Sequence, residues 1–360
     1  MTIGINSVAA FEKPRTGVEE YVYQFLKGLV TIKEAGDHRF ILYVRSGQSL
    51  DFKLPDNFTI KELNWFLPMW TQVRLACEMA VKKPDILFVP VNVLPQIHPK
   101  NSVAAIHGLE YEHYPECYAF RSLQYLRWAA KYALKHARKI IAPSQSTKND
   151  LIRLYGANPE KITVVHHGIQ ITDPKVRNLE LKINLPYILY IGRIETKKNV
   201  EGLVEAFNLL KERYRISHKL VLVGARGFGY ESLKLKIKNL KFARDIIETG
   251  YVSEKEKEQL LNNADLFAFV SFYEGFGIPI LEAQNAGCPV ITSDISSMPE
   301  VAGQGAVLVK PNDVENIAES IYKIINDIQF KKSLIKKGCQ NVRRFSWGKC
   351  AKKTLEVLTN

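Results

Sequence analysis

The chain has 360 residues, 46% hydrophobic and 24% charged, with a formal net charge of +13. That length allows two domains of ordinary size, and that balance is globular, which excludes a fibrous or disordered chain. No apolar run approaches the roughly 18 residues of a membrane-spanning helix, and Met1-Thr-Ile-Gly-Ile-Asn reads as a strand without a leader's basic and apolar regions, so a cytoplasmic location is expected. Five scattered cysteines (77, 117, 288, 339 and 350) without a C-x-x-C pair predict reduced thiols and neither disulfides nor a zinc site.

Short apolar strands alternate with helical stretches, the pattern of parallel sheets. The first half places strands at 3–8, 40–44, 86–90, 103–106, 140–142 and 162–165, and helices at about 17–33, 71–82, 119–138 and 146–155, the last with Ser146 as N-cap. Arg15-Thr-Gly17-Val lies between the first strand and its helix, where backbone amides would form a phosphate-facing nest; the plainer reading is a turn. His107 follows the strand at 103–106, where it could hydrogen-bond a sugar hydroxyl, against the plainer reading of a satisfied structural histidine. Positions 118–148 carry seven Lys or Arg, no acid, and Phe120, Tyr125, Trp128 and Tyr132. Such a face attracts anionic lipid, phosphorylated substrates or nucleic acid, or is merely solvated. Nucleic acid is disfavoured because no reading motif accompanies the charge. A polar stretch ending in Pro186 reads as an interdomain linker.

The second half repeats the alternation, with strands at 187–191, 220–223, 246–249, 266–270, 290–292 and 306–309 and helices at 199–213, 254–263, 278–286 and 313–326. Gly192-Arg193-Ile-Glu-Thr-Lys-Lys198-Asn199 follows its first strand and leads into a helix. Arg offers a planar fork to phosphate oxygens and Lys a compact charge, so the two could embrace a diphosphate and stabilise its departure. The run Gly224-Ala-Arg-Gly227-Phe-Gly229 lacks the spacing of a dinucleotide fingerprint, and a flexible loop is at least as good a reading as ligand contact. Ser297-Met-Pro-Glu300 has capping-box spacing.

The densest chemistry is Glu274-Gly-Phe276-Gly277-Ile278-Pro-Ile-Leu-Glu282. It reads as strand end, glycine-permitted turn, and helix opening with Pro279 in its first turn. Helix-start amides favour an oxygen-rich ligand, and the two carboxylates would face one crevice. Two doubly wound domains leave a cleft at their strand ends, so a ligand held between two halves is expected.

These passages resemble the retaining glycosyltransferases of family 4, which have the GT-B fold. The resemblance is carried by Arg15-Thr-Gly-Val-Glu-Glu-Tyr-Val, Ile106-His-Gly-Leu, Ile141-Ala-Pro-Ser-Gln-Ser, Lys161-Ile-Thr-Val-Val-His-His-Gly-Ile, Tyr190-Ile-Gly-Arg-Ile-Glu-Thr-Lys-Lys-Asn, the Glu274–Glu282 run, and Thr292-Ser-Asp-Ile-Ser-Ser-Met-Pro-Glu-Val-Ala-Gly. They span nearly the whole chain, and those of the first half are similar to bacterial mannosyl- and rhamnosyl-type members that build O-antigen or capsule chains. The resemblance implies an α/β protein of two Rossmann-like, doubly wound domains facing across a cleft. Residues 1–173 would bind acceptor, 174–186 would be the linker, 187–342 would bind donor, and 343–360 would form a helix crossing back to the first domain.

On matching positions, the resemblance gives Arg193 and Lys198 the donor diphosphate, with Gly17 helping from the other domain. Glu282 would take the ribose hydroxyls, Glu274 and the Phe276, Gly277 and Ile278 backbone the donor sugar and phosphate, and His107 would lie near the transferring sugar. His107, Arg193, Lys198 and Glu274 are thus the catalytic candidates. Where many relatives carry Arg-Lys-Asn, this chain has Lys197-Lys198-Asn199. The implied reaction moves a sugar, mannose from GDP-mannose in the leading reading, from a nucleotide diphosphate sugar to a lipid-linked or polysaccharide acceptor. The acceptor attacks on the face the nucleotide leaves, with no metal or other cofactor. Peripheral contact with an anionic membrane at the inner face is a further expectation. The competing readings are a nucleotide-sugar epimerase of the same architecture and a non-catalytic protein that binds anionic polymer.

Overall fold

The computed structural model describes residues 1–12, 15, 17–47, 50–65, 68–171 and 186–360. The sequence-predicted linker lies outside these residues except for Pro186. The chain divides into two compact units, residues 1–168 with 345–360, and residues 169–344.

Seven strands of the first unit are β1 (Thr2–Asn6), β2 (Arg39–Val44), β3 (Phe58–Glu62), β4 (Ile86–Val89), β5 (Ser102–Ala105), β6 (Lys139–Ala142) and β7 (Ile162–Val164). They pair in parallel in the order β3-β2-β1-β4-β5-β6-β7. Between them run α1 (Gly17–Leu29), α2 (Ala76–Val81), α3 (Glu110–His113), α4 (Phe120–His136) and α5 (Gln145–Tyr155). Alternate residues of β4 enter different clusters: Ile86 and Phe88 pack with Ile3, Ile5 and Phe25, while Leu87 and Val89 pack with Met79, Ala104 and Ile140. The sheet is therefore covered on both faces, which is why its central strands read as unbroken apolar runs.

In the second unit, β8 (Tyr187–Ile191), β9 (Lys219–Val223), β10 (Ile246–Gly250), β11 (Leu266–Phe269), β12 (Val290–Ser293) and β13 (Ala306–Val309) form a parallel sheet ordered β10-β9-β8-β11-β12-β13. The accompanying helices are α6 (Val200–Tyr214), α7 (Tyr230–Lys238), α8 (Glu254–Asn263), α9 (Ile278–Asn285), α10 (Met298–Ala302), α11 (Val314–Asn326) and α12 (Ile328–Val342). Numbered within the unit, the order is 3-2-1-4-5-6, that of a Rossmann sheet whose direction of winding reverses between its first and fourth strands.

The last helix, α13 (Trp347–Thr359), belongs to the first unit. Its Cys350, Ala351, Leu355 and Leu358 are buried in the cluster of Ile3 and Phe25. Arg138 Nη2 donates to the carbonyls of Val357 (3.0 Å) and Leu358 (2.8 Å), satisfying acceptors that a helix end leaves open.

The cap of α5 differs from expectation. Ser144, not Ser146, accepts from Thr147 N at 3.1 Å, because its extended backbone places it just outside the helix.

Candidate functional site

In the second unit the winding reverses at β8 and β11, and the loops leaving those strands carry the sequence motifs. They are stitched together. Phe272 N donates to Lys197 O at 3.0 Å, and Asn199 Nδ2 donates to Val270 O (3.0 Å) and Pro311 O (2.7 Å). Asn199 sits in the left-handed region (φ 53°), which asparagine tolerates better than most residues. The third wall is the loop after β9. Ile194 N donates to Ala225 O (2.9 Å), Gly227 N to Ile194 O (2.8 Å) and Thr196 N to Phe228 O (3.0 Å). The Gly224–Gly229 run is therefore not a loose loop; its glycines let two backbones meet. A Cβ on Gly224 would stand 2.0 Å from Gly192 O.

Lys198 Nζ lies 2.7 Å from each carboxylate oxygen of Glu274, both side chains largely shielded. Ser271 Oγ donates to Glu274 Oε1 at 2.8 Å. The turn that follows is held by Ser296 and by Ser297, the latter suggested by the sequence as a cap. Ser297 Oγ lies 2.8 Å from Glu274 O and 2.7 Å from Phe276 O, and makes no cap bond in α10. Ser296, at φ 58°, accepts from Glu274 N (3.2 Å) and donates to Glu274 O (2.6 Å). A non-glycine residue in that region is strained, and strain of this kind is retained where surroundings fix it. The serines thus set the path of the acidic turn. Gly277, at φ 105°, opens α9, Phe276 is buried, and Ile278 begins the helix.

Arg193 is the exposed cation here. Its side chain is 64% accessible, and its Nε stands 4.0 Å from Glu195, whose buried carboxylate also meets Lys197 at 3.5 Å. Tyr190, its hydroxyl pKa pushed well up by burial and then by Glu274 and Glu195, donates to Arg193 O at 2.9 Å and fixes that backbone. Glu282 takes a different partner from Glu274: Lys257 Nζ is 2.8 Å from its Oε1. Lys257, Ser271 and Ser296 did not stand out in the sequence, where nothing but the fold brings them to these acids.

A cavity of about 710 Å³ opens beside this region, lined by Asp294, Lys310, Asp313 and Glu315 among others. Its acids outnumber its cation, so it suits an anionic diphosphate less well than the Arg193–Lys198 loop does. No cluster of three His, Cys, Asp or Glu placed to hold a metal occurs among the described residues.

Gly17 and His107 lie in the first unit. Gly17 opens α1, and among the described residues, its chain neighbours and own helix backbone aside, no atom lies within 4 Å of a Cβ built on it. His107 has both ring nitrogens engaged: Nε2 with Pro90 O at 2.7 Å and Nδ1 with His167 Nε2 at 3.3 Å. A carbonyl only accepts, so Nε2 carries the proton and Nδ1 receives one from His167. Burial lowers both pKa values below 6.5, that of His167 well below. Both rings are neutral when folded and gain protons when unfolded. Their contribution is therefore complete above about pH 6.5 and is lost as pH falls below it. Thermal melts from pH 8 to pH 5 should show this decline, and His167→Gln should flatten it.

Two family models match the chain in succession, Glycosyltransferase Family 4 over residues 15–173 and Glycosyl transferases group 1 over residues 173–341. The O-antigen chain mannosyltransferase B of Escherichia coli is 29% identical over 266 residues, covering 72% of this chain and 70% of that one. RfbU of Salmonella typhimurium, also an O-antigen chain mannosyltransferase, is 25% identical over 266 residues, covering 74% and 71%. The serotype-specific mannosyltransferase WbdA of Escherichia coli is 27% identical over 250 residues; the match covers 68% of this chain but 30% of WbdA. Among solved structures, the lipopolysaccharide glycosyltransferase WaaG superposes with a TM-score of 0.74 at 16% identity over the whole of both chains. Anabaena HepE in complex with UDP-glucose gives 0.74 at 19%, covering 100% of this chain and 99% of that one. The two parallel-sheet units are those of the GT-B fold, and the chain belongs to the glycosyltransferases, with a family 4 domain followed by a group 1 domain.

Proposed function

We propose that the protein transfers mannose from GDP-mannose, with retention, to a lipid-linked or polysaccharide acceptor in the assembly of an O-antigen-like or capsule-like chain. The Lys198–Glu274 pair at the strand reversal, beside exposed Arg193, is the observation that carries the reading. The mannosyltransferase names of the relatives favour mannose. Arg193 and Lys198 take the diphosphate. Glu274 and the backbone of Phe276, Gly277 and Ile278 hold donor sugar and phosphate, and Glu282 takes the ribose. Residues 187–342 act as the donor half. Residues 1–173, with Gly17 and His107, form the acceptor half, Gly17 serving phosphate and His107, both ring nitrogens already engaged, lying near the transferring sugar without bonding it.

In the step itself the acceptor oxygen bonds to the anomeric carbon on the face from which the diphosphate oxygen departs, and the acceptor proton passes to that departing oxygen. Each acid of the turn is engaged by a lysine, which supports a route in which neither is the nucleophile. In this reading Arg193 and Lys198 neutralise the leaving group in place of a divalent ion, so turnover should persist in excess EDTA. Loss of activity that Mg²⁺ or Mn²⁺ restores overturns that part.

The test offers GDP-mannose, UDP-glucose and dTDP-sugars with and without a lipid-linked glycan acceptor, following nucleotide release and the product anomer by NMR. Acceptor-dependent release from GDP-mannose with an α-linked product is expected. Conversion of the donor alone to an epimer, or preference for another donor, overturns the reading.

A peripheral location at the inner face of the membrane belongs to the same proposal. Helix α4 has no acidic residue, its Phe120 is 74% exposed, and Tyr125, Trp128, Tyr132 and His136 stack along it. Amphipathic rings and cations together suit an anionic headgroup layer. No helix among the described residues is long and apolar enough to cross a membrane. Co-sedimentation should be greater with vesicles containing anionic lipid than with neutral ones; equal recovery removes the idea.

A further inference from the structure

Lys257 of α8 lies between two carboxylates. Its Nζ is 2.8 Å from Glu282 Oε1 on α9 and 2.7 Å from Glu254 Oε2 on its own helix. The two contacts differ in kind. The Glu254 side chain is 80% exposed, so that pair is screened by water, whereas Glu282 and Lys257 are 23% and 19% exposed. Burial opposes the charge on Lys257, but Glu282 and Glu254 more than offset it, and the ammonium is held above its usual pKa. The proposed reaction gives Lys257 no role, yet it is built into the site by the packing of two helices.

Its geometry has a chemical consequence. A carboxylate offers two oxygens, and Lys257 takes Oε1. That fixes the rotation of the Glu282 carboxylate and directs Oε2 to a donor outside the pair. A hydroxyl donated to that carboxylate makes a charge-assisted bond, about twice as strong as a neutral one.

We propose that Lys257 is a positioning residue that aims Glu282 at a ribose hydroxyl and so makes the enzyme discriminate ribonucleoside from deoxyribonucleoside diphosphates. This rests on the reading of Glu282 as the ribose-binding acid. Without Lys257, Glu282 turns toward water and the ribose hydroxyls lose their acceptor, while base and diphosphate contacts stay. Affinity for a nucleotide lacking those hydroxyls should therefore be nearly indifferent to Lys257.

The experiment is calorimetric titration of the full chain with GDP and 2′,3′-dideoxy-GDP, and with the corresponding uridine pair. It is run on the parent, Lys257→Met, Lys257→Arg and the surface control Glu254→Gln. The parent should favour the ribonucleotide at least about tenfold. Lys257→Met should bring that ratio below about threefold with dideoxynucleotide affinity unchanged, Lys257→Arg should restore most of it, and Glu254→Gln should leave it alone. An unchanged ratio in Lys257→Met overturns the proposal. Equal loss of both nucleotides with a lowered melting temperature also overturns it, since that marks a merely structural lysine. A parent that binds both members of a pair equally removes the ribose role of Glu282. A parent that binds neither GDP nor UDP removes the donor site itself, and the role of Lys257 with it.

Discussion

Lys198→Ala should lower kcat/KM at least about tenfold, equivalent to about 1.4 kcal/mol of lost transition-state stabilisation. The substitution removes more than a charge. Lys198 Nζ bonds both oxygens of Glu274, whose side chain is only 11% exposed, so alanine leaves a shielded carboxylate with Ser271 as its remaining side-chain partner. An unneutralised anion then stands where the proposed diphosphate develops charge, and the two repel. Glu274→Gln in the Lys198→Ala background separates the two effects. If repulsion dominates, the double variant recovers part of the activity. If the ammonium is needed at the departing phosphate, it does not. Full activity of Lys198→Ala, measured with the preferred donor, sinks the assignment of this loop to the diphosphate.

The second large effect is expected at Gly224. An added methyl would lie 2.0 Å from Gly192 O and 2.8 Å from Gly192 C, and the residue's φ of 140° already disfavours a side chain. Both obstructing atoms are backbone, so no rotamer change relieves them. The loops after β8 and β9 must separate, breaking the ladder at Ile194 and Ala225 and displacing Arg193. Overpacking of this sort costs about 1–3 kcal/mol, and a misplaced cation adds a loss in rate. Gly224→Ala should lower the melting temperature and cut kcat/KM more than about tenfold together. Gly36→Ala, with no atom within 4 Å of the new methyl, should do neither. A stable, fully active Gly224→Ala would mean that the close approach of these loops is not needed.

Where burial alone decides, the elements are legible in the sequence. Ile86–Val89 and Leu266–Phe269 are wholly buried strands and announce themselves as apolar runs. Phe58–Glu62 escaped because it is an edge strand with one buried residue, and its Lys61 and Glu62 resemble loop. Tyr230–Lys238 escaped for a different reason. Leu233, Leu235 and Ile237 alternate like a strand, yet Tyr230, Leu233 and Ile237 form the buried helical stripe and Leu235 is exposed. In the candidate site, Arg193, Lys198, Glu274 and Glu282 stand out in the sequence because motif and local turn chemistry lie close together in the chain. Ser297 was read as a cap because a hydroxyl can serve the next helix or the preceding turn, and only the fold selects which. Lys257 and Glu282 are 25 positions apart, and His107 and His167 are 60, so no local spacing couples them.

The return of α13 to the first unit has a consequence for synthesis. Residues 169–344 form one uninterrupted stretch, whereas the first unit needs 345–360 to fill the core around Ile3 and Phe25. A growing chain emerges from its N-terminus, and domains generally fold as they appear. Here the earliest sheet must wait with an open face until Cys350, Ala351, Leu355 and Leu358 arrive. The unit begun first is the one finished last.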